Sequence, residues 1–251
     1  MGSDSHPMFL VHLLLVFGGI QGKVVDQALT QQLAHVYIKS VYRCAGILVR
    51  PNYVLTVASH VVAYPHHARV SLYSGSNFTQ RDASARFRIT EAHFHPDYTF
   101  NSPYESSLVL LKLDLPMGQP LSGNRFTSSS SFTSATLVGW EARRTRELGE
   151  HEALVAHTID LETKCGGFTK PPFLATELCG TTNEKSAHYI AEGSPLLLQT
   201  PKGPRIVATY SRAFFQTSPI QLTFVKLAPF TSWIKQETRP SPINSISFNS
   251  K

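Results

Sequence analysis

The stretch 44-CAGILVRPNYVLTVASHV-61 decides how the chain is read. Its two apolar runs, 45-AGILVR-50 and 53-YVLTVAS-59, have the length and side-chain type of strands, and Pro51 and Asn52 mark a turn between them. Runs of the same kind recur at 34-AHVYIKS-40, 69-RVSLYS-74, 108-LVLLKL-113, 136-TLVGW-140, 195-PLLLQT-200, 205-RIVATYS-211 and 222-LTFVKL-227. Their length and regular recurrence indicate an all-β sandwich or barrel. One segment differs. In 229-PFTSWIKQET-238, Pro229 can open a helix and Phe230, Trp233 and Ile234 fall on one face.

The composition agrees with a β-rich globular protein, because hydrophobic residues make up 42% of the 251 and charged residues only 16%. The length suits one large domain or two small barrels sharing an interface. Residues 9–20, FLVHLLLVFGGI, form an apolar run too short to span a bilayer, and Gln21 and Gly22 follow it. Residues 1–22 are therefore expected to be a cleaved secretory signal. Residues 236–251, with two Pro in 239-RPSPINSISFNSK-251, are expected to be a disordered tail, and 128-SSSSF-132 reads as a linker.

Loss of residues 1–22 removes one acid, Asp4, and no base, so the net charge moves from +6 to +7. That favours acidic partners weakly. The densest basic run, 141-EARRTRELGE-150, holds three Arg and three Glu and sums to zero, so a nucleic-acid role is disfavoured. Three cysteines, Cys44, Cys165 and Cys179, suit an exported protein with one disulfide and one thiol left over. The sequon 77-NFT-79 makes Asn77 the expected glycan site.

Taken in order, 44-CAGILVRPNYVLTVASHV-61, 107-SLVLLKL-113, 138-VGW-140, 195-PLLL-198 and 226-KLAPFTSWI-234 resemble the trypsin/chymotrypsin family of serine proteases over about residues 24–235. The resemblance implies two six-stranded antiparallel β-barrels, over about 24–125 and 126–235, with a C-terminal helix. No cofactor is expected, and because no carboxylate cluster appears between residues 70 and 81 the family's calcium loop is not carried over, so no metal is expected either; Trp140 and Trp233 match core positions of the family.

The same resemblance speaks against family chemistry. Ser59 falls where the family has its general-base histidine, Ser107 where it has the orienting aspartate, and Glu192 where it has the nucleophile. A serine hydroxyl attacks only when an imidazole takes its proton and a carboxylate holds that imidazole. Ile190 and Ala191 stand at the oxyanion glycine and at the aspartate that pairs with the activated N-terminus, while 23-KVVDQ-27 replaces the cleaved start. Ser186 falls at the floor of the specificity pocket. The resemblance pairs Cys165 with Cys179 and leaves Cys44 alone, since His60 stands in its partner's place; Ala135 and His188 replace members of two further bridges.

A competing arrangement uses His60 as base, Glu105 as orienting acid and Ser194 as nucleophile, and requires three independent shifts of register. The histidines of 65-PHH-67 and 93-HFH-95 raise the question of a metal; only His93 and His95, at i and i+2, share a strand face, and a structural role is favoured for them. The expected function is therefore a secreted, catalytically inactive homologue that binds a protein partner such as a protease or receptor. An active endopeptidase and a basic polyanion-binding protein are the alternatives.

Overall fold

The computed structural model describes residues 32–38, 41–72, 87–99, 107–117, 126, 132–141, 154–162, 175–201, 203–214 and 218–239. They form two closed six-stranded antiparallel barrels. The first consists of β1 (Leu33–Ile38), β2 (Val41–Arg50), β3 (Tyr53–Val57), β4 (Ala68–Leu72), β5 (Phe87–Phe94) and β6 (Leu108–Leu113), in the spatial order β1-β2-β3-β6-β5-β4. The second consists of β7 (Ser134–Trp140), β8 (Leu154–Glu162), β9 (Glu177–Thr182), β10 (Pro195–Thr200), β11 (Gly203–Phe214) and β12 (Ile220–Lys226), in the order β10-β11-β12-β9-β8-β7. A single α-helix among the described residues, α1 (Thr231–Glu237), follows the 3-10 turn Ala228–Phe230.

Three buried clusters explain why the central strands read as unbroken apolar runs. Successive side chains on a strand point to opposite faces. On β2, β3 and β6 one face carries Ala45, Ile47, Tyr53, Leu55, Leu108 and Leu110, which pack with Val138, Trp140, Leu197 and Val225 of the other barrel. The opposite face carries Cys44, Leu48, Val54, Val109 and Leu111, which fill the first barrel with Val36 and Val70. Strands buried on both faces have no need of polar alternation. The second barrel has its own filling, including Leu137, Ile159, Leu196, Leu222 and Phe224.

Three strands escape a reading from apolar runs, each for a physical reason. Strand β5, FRITEAHF, has one face in solvent and a register shift between Ile89 and Glu91, which breaks its alternation. In β8, LVAHTIDLE, polar residues interrupt the pattern, and β9, ELCGTT, carries a glycine and few β-branched residues. The terminal helix also corrects a boundary. Helix α1 runs to Glu237 and Thr238 is buried, so ordered structure enters the segment assigned to a tail from 236. Residues 240–251, residues 1–22, expected to be a signal, and residues 128–131 of the serine run lie outside the described residues.

His35 on β1 lies in the contact between the barrels, with its ring centroid 3.7 Å from a ring of Trp140. Burial lowers its pKa from the ordinary 6.5 to about 3. Between those values the unfolded chain holds a proton that the folded chain lacks, so this contribution is complete above pH 6.5 and is lost as the pH falls toward 3. The loss is expected to be on the order of 3 kcal/mol. Urea unfolding at pH 7 and pH 4 measures it, and His35→Phe should remove much of the difference; an unchanged slope in that variant would assign it to other groups.

Candidate functional site

The two barrels meet at a tight turn, Ala191–Ser194, that leads into β10. From the first barrel, β3 ends in the 3-10 turn Ala58–His60, which is anchored by the Ala58 N–H donating to the Ser107 carbonyl at 3.1 Å. From the second, the 3-10 segment Lys185–Tyr189 delivers Ile190 and then the turn. Both barrels hold that turn in place. The Ala45 N–H donates to the Glu192 carbonyl at 2.8 Å, and the Gly193 N–H donates to the Tyr210 carbonyl at 2.8 Å. The Ala191 N–H donates to the Trp140 carbonyl at 3.1 Å, and the Tyr210 N–H to the Ser194 carbonyl at 2.7 Å. Gly193 has φ +86°, a conformation that side-chain-bearing residues rarely adopt.

At the mouth of this junction His60 Nε2 lies 2.8 Å from Glu192 Oε2, with each side chain 33% exposed. The contact spans 132 residues of sequence and joins one barrel to the other. Ser59 is half-buried on the same turn, and Ser107 is buried at the entry to β6. Burial, then the negative charge of Glu192, raise the pKa of the nearby Tyr210 phenol.

Ser194 is fully buried and its hydroxyl has no hydrogen-bond partner. It faces β7, because a Cβ built on Gly139 would lie 2.2 Å from Ser194 Oγ and 2.8 Å from Ile190 Cγ2. The hydroxyl thus fills the space that Gly139 leaves on β7. Sequence position alone made it a candidate nucleophile, but its burial follows from the turn. The fold brings His60 to Glu192, whereas no hydrogen bond links His60 to Ser194; Glu105 lies outside the described residues. Gly139→Ala is expected to cost more than about 2 kcal/mol through overpacking, and Ser194→Gly to recover part of that loss. A double-mutant cycle by chemical denaturation measures both, and strict additivity would contradict the contact.

Behind Glu192, Ile190 and Ala191 are both buried. The Ile190 N–H donates to the Ala187 carbonyl at 3.4 Å, closing the end of the 3-10 segment on itself. Ile190 and Ala187 share one apolar cluster with Leu222, Tyr210 and the partly buried Ala213. Ser186, the residue assigned to a pocket floor, is half-buried on the same segment.

Cys44 is free and buried. Burial pushes its thiol up to about 12 against the opposing effect of its contact with Thr56 Oγ1, 3.4 Å away. Thr56 Oγ1 in turn donates to the Ala45 carbonyl at 2.5 Å. Ala135 belongs to the filling of the second barrel, and the His188 ring lies 3.6 Å from that of Tyr189. Cys179 is buried, while Cys165, Asn77 and residues 23–27 lie outside the described residues.

The remaining histidines take separate roles. Both ring nitrogens of His93 face carboxylates, His95 packs between Phe230 and Trp233, and His66 and His67 are exposed. Among the described residues no group of three or more His, Cys, Asp or Glu side chains could hold a metal ion. No helix among them is long and apolar enough to cross a membrane. The His60–Glu192 pair was the feature that sequence reading missed. Each residue departs from the family pattern on its own, but their contact depends on how two barrels dock.

The trypsin family model matches residues 20–234. The chain is also 26% identical over 239 residues to Kallikrein 1-related peptidase b21 of Mus musculus, covering 80% of this chain and 82% of that protein.

Proposed function

Because the chain belongs to the trypsin family, we propose that it is a secreted, catalytically inactive serine protease homologue that acts by binding a protein partner, as a regulatory cofactor or decoy. The observation that carries this reading is the His60–Glu192 pair. Glu192 occupies the position that the family resemblance assigns to the nucleophile, so on that register its carboxylate brings negative charge to the place where an acyl-transfer intermediate would develop its own. Such charge opposes the stabilisation that oxyanion sites supply. The imidazole one residue beyond the base position is engaged by that carboxylate and activates no hydroxyl.

Two further features support the reading. The Ile190 N–H, which the resemblance assigns to oxyanion binding, is turned back to the Ala187 carbonyl. Ser194 is fully buried beside Gly139. A scaffold with rigid barrels and exposed loops remains suited to recognition when the site no longer supports chemistry. The test is turnover of peptide amide and ester libraries by purified protein. No hydrolysis above buffer is expected, and turnover abolished by Ser194→Ala would overturn the proposal.

The net charge, +6 for the whole sequence and +7 without residues 1–22, supports a second reading, polyanion binding by the same secreted protein. Retention on heparin that falls steeply with salt is its expected mark, and passage unretained at low salt would remove it. The family resemblance pairs Cys165 with Cys179, and export through a eukaryotic secretory route would place a glycan on Asn77. Non-reducing peptide mapping and the mass change on glycosidase treatment check these, and a bridge involving Cys44 would contradict the assigned register.

A further inference from the structure

In the second barrel β9, β12, β11 and β10 lie side by side in that order. The chain leaves β9 at Thr182 and re-enters the sheet at Pro195, so residues 183–194 cross β12 and β11 on the way. The 3-10 segment Lys185–Tyr189 packs on β12, and Ile190 forms a bridge to Glu141 beyond β7. Side chains from the crossing segment and from the strands beneath it meet in one apolar cluster, with Ala187 and Ile190 above and Leu222, Phe224 and Tyr210 below. The register of β11 shifts between Tyr210 and Arg212, which brings Ala213 to the same cluster. Ala213, Ile220 and Ser186 are only partly buried, so on their side the cluster reaches solvent.

Tyr210 is fixed at the centre of this arrangement. Its backbone is bonded on both sides to the turn that carries Glu192, accepting from the Gly193 N–H and donating to the Ser194 carbonyl. Its ring is 2% exposed and lies 5.8 Å from that of Phe224, its partner across the ladder. The phenol senses the Glu192 carboxylate, whose charge adds to burial in raising its pKa. We propose that Tyr210 is a built-in occupant of the side-chain pocket whose floor the resemblance assigns to Ser186: its ring fills the space between the crossing segment and β11–β12 that a ligand's side chain would enter. A protein partner then engages the rim of the site and threads no side chain beneath residues 186–192. The placing of the pocket rests on the register behind the proposed function, whereas its occupancy concerns binding and not turnover.

Removing the ring should open a site of matching shape, because the strand ladder and the bonds to the turn hold both walls apart. An apolar cavity of about 150 Å³ in a protein core stays dry and binds benzene. The test is thermal unfolding of the full chain with 4-methylphenol, the excised side chain, and with N-acetyltyrosine amide, whose backbone must stay outside when its ring enters from solvent. Neither compound is expected to shift the wild type. Tyr210→Gly is expected to gain roughly 3 to 6 °C from each at ten times its dissociation constant. Where that variant does not accumulate, Tyr210→Ala with phenol and with the same amide repeats the measurement. Saturable binding of either compound to the wild type would overturn the proposal, as would a variant that binds neither. A variant that takes 4-methylphenol or phenol but not the amide would show a closed core cavity and no pocket, and would also overturn it. None of these outcomes depends on whether the protein hydrolyses peptides, so the proposed function and the occupied pocket can fail separately.

Discussion

Gly193→Ala is expected to destabilise the protein by more than about 3 kcal/mol and to prevent its accumulation in folded form. The positive φ alone costs on the order of 1 kcal/mol in a residue with a Cβ. Steric conflict adds to it. A Cβ at this position would lie 2.1 Å from the Ala45 carbonyl oxygen and 2.9 Å from Thr56 Oγ1. The first is backbone in a barrel strand and cannot swing aside, while Thr56 is held by the same carbonyl. Relief would require the barrels to separate, with loss of the bond from Ala45 N–H to the Glu192 carbonyl. Chemical denaturation checks the value. A loss below about 1 kcal/mol would mean that the barrels do not close on this turn as described.

Restoring the triad alone, by Ser59→His, Ser107→Asp and Glu192→Ser, is expected to leave peptide ester hydrolysis near background. The triple variant removes the carboxylate that engages His60 and places a serine, a histidine and an aspartate at the positions that the family resemblance assigns to nucleophile, base and orienting acid. It does not repair the oxyanion side, where the Ile190 N–H is bonded to the Ala187 carbonyl and the branched side chain packs in the barrel. One missing oxyanion donor lowers turnover by a factor of about a hundred to a thousand. Adding Ile190→Gly and Ala191→Asp, with the chain freed at Val24, should therefore raise the rate over the triple variant by about that factor. Near-enzyme rates from the triple variant alone would show that the turn needs no repair.

Much of the fold was legible because the docking of two barrels leaves a record in the strands nearest the interface. Tyr53 and Leu55 face the second barrel while Val54 fills the first, and such double burial writes an unbroken apolar run. Strand β5 has solvent on one side and a register shift, so its sequence carries neither a run nor a clean alternation. The candidate site was legible as a set of positions but not as a set of contacts. Ser194 sits between a glycine and a proline on the way into a strand, and nothing local says that its hydroxyl points toward Gly139. The pairing of His60 with Glu192 depends on the backbone bond between Ala45 and Glu192, a product of tertiary docking that no local pattern encodes. For His93, periodicity suggests a strand face shared with His95, but β5 ends at Phe94 and His95 lies just beyond it. Periodicity did not give the carboxylate of Glu237, which arrives from a helix 144 residues away.

On the proposed function no hydroxyl beside the His60–Glu192 pair is activated, because Glu192 engages the imidazole and Ser194 is buried. Labelling of the purified protein with a serine-directed phosphonate, read by intact mass and peptide mapping beside trypsin as a positive control, tests this most directly. An unchanged mass under conditions that label trypsin completely is the predicted result. A stoichiometric adduct mapped to Ser194 or Ser59 would contradict it.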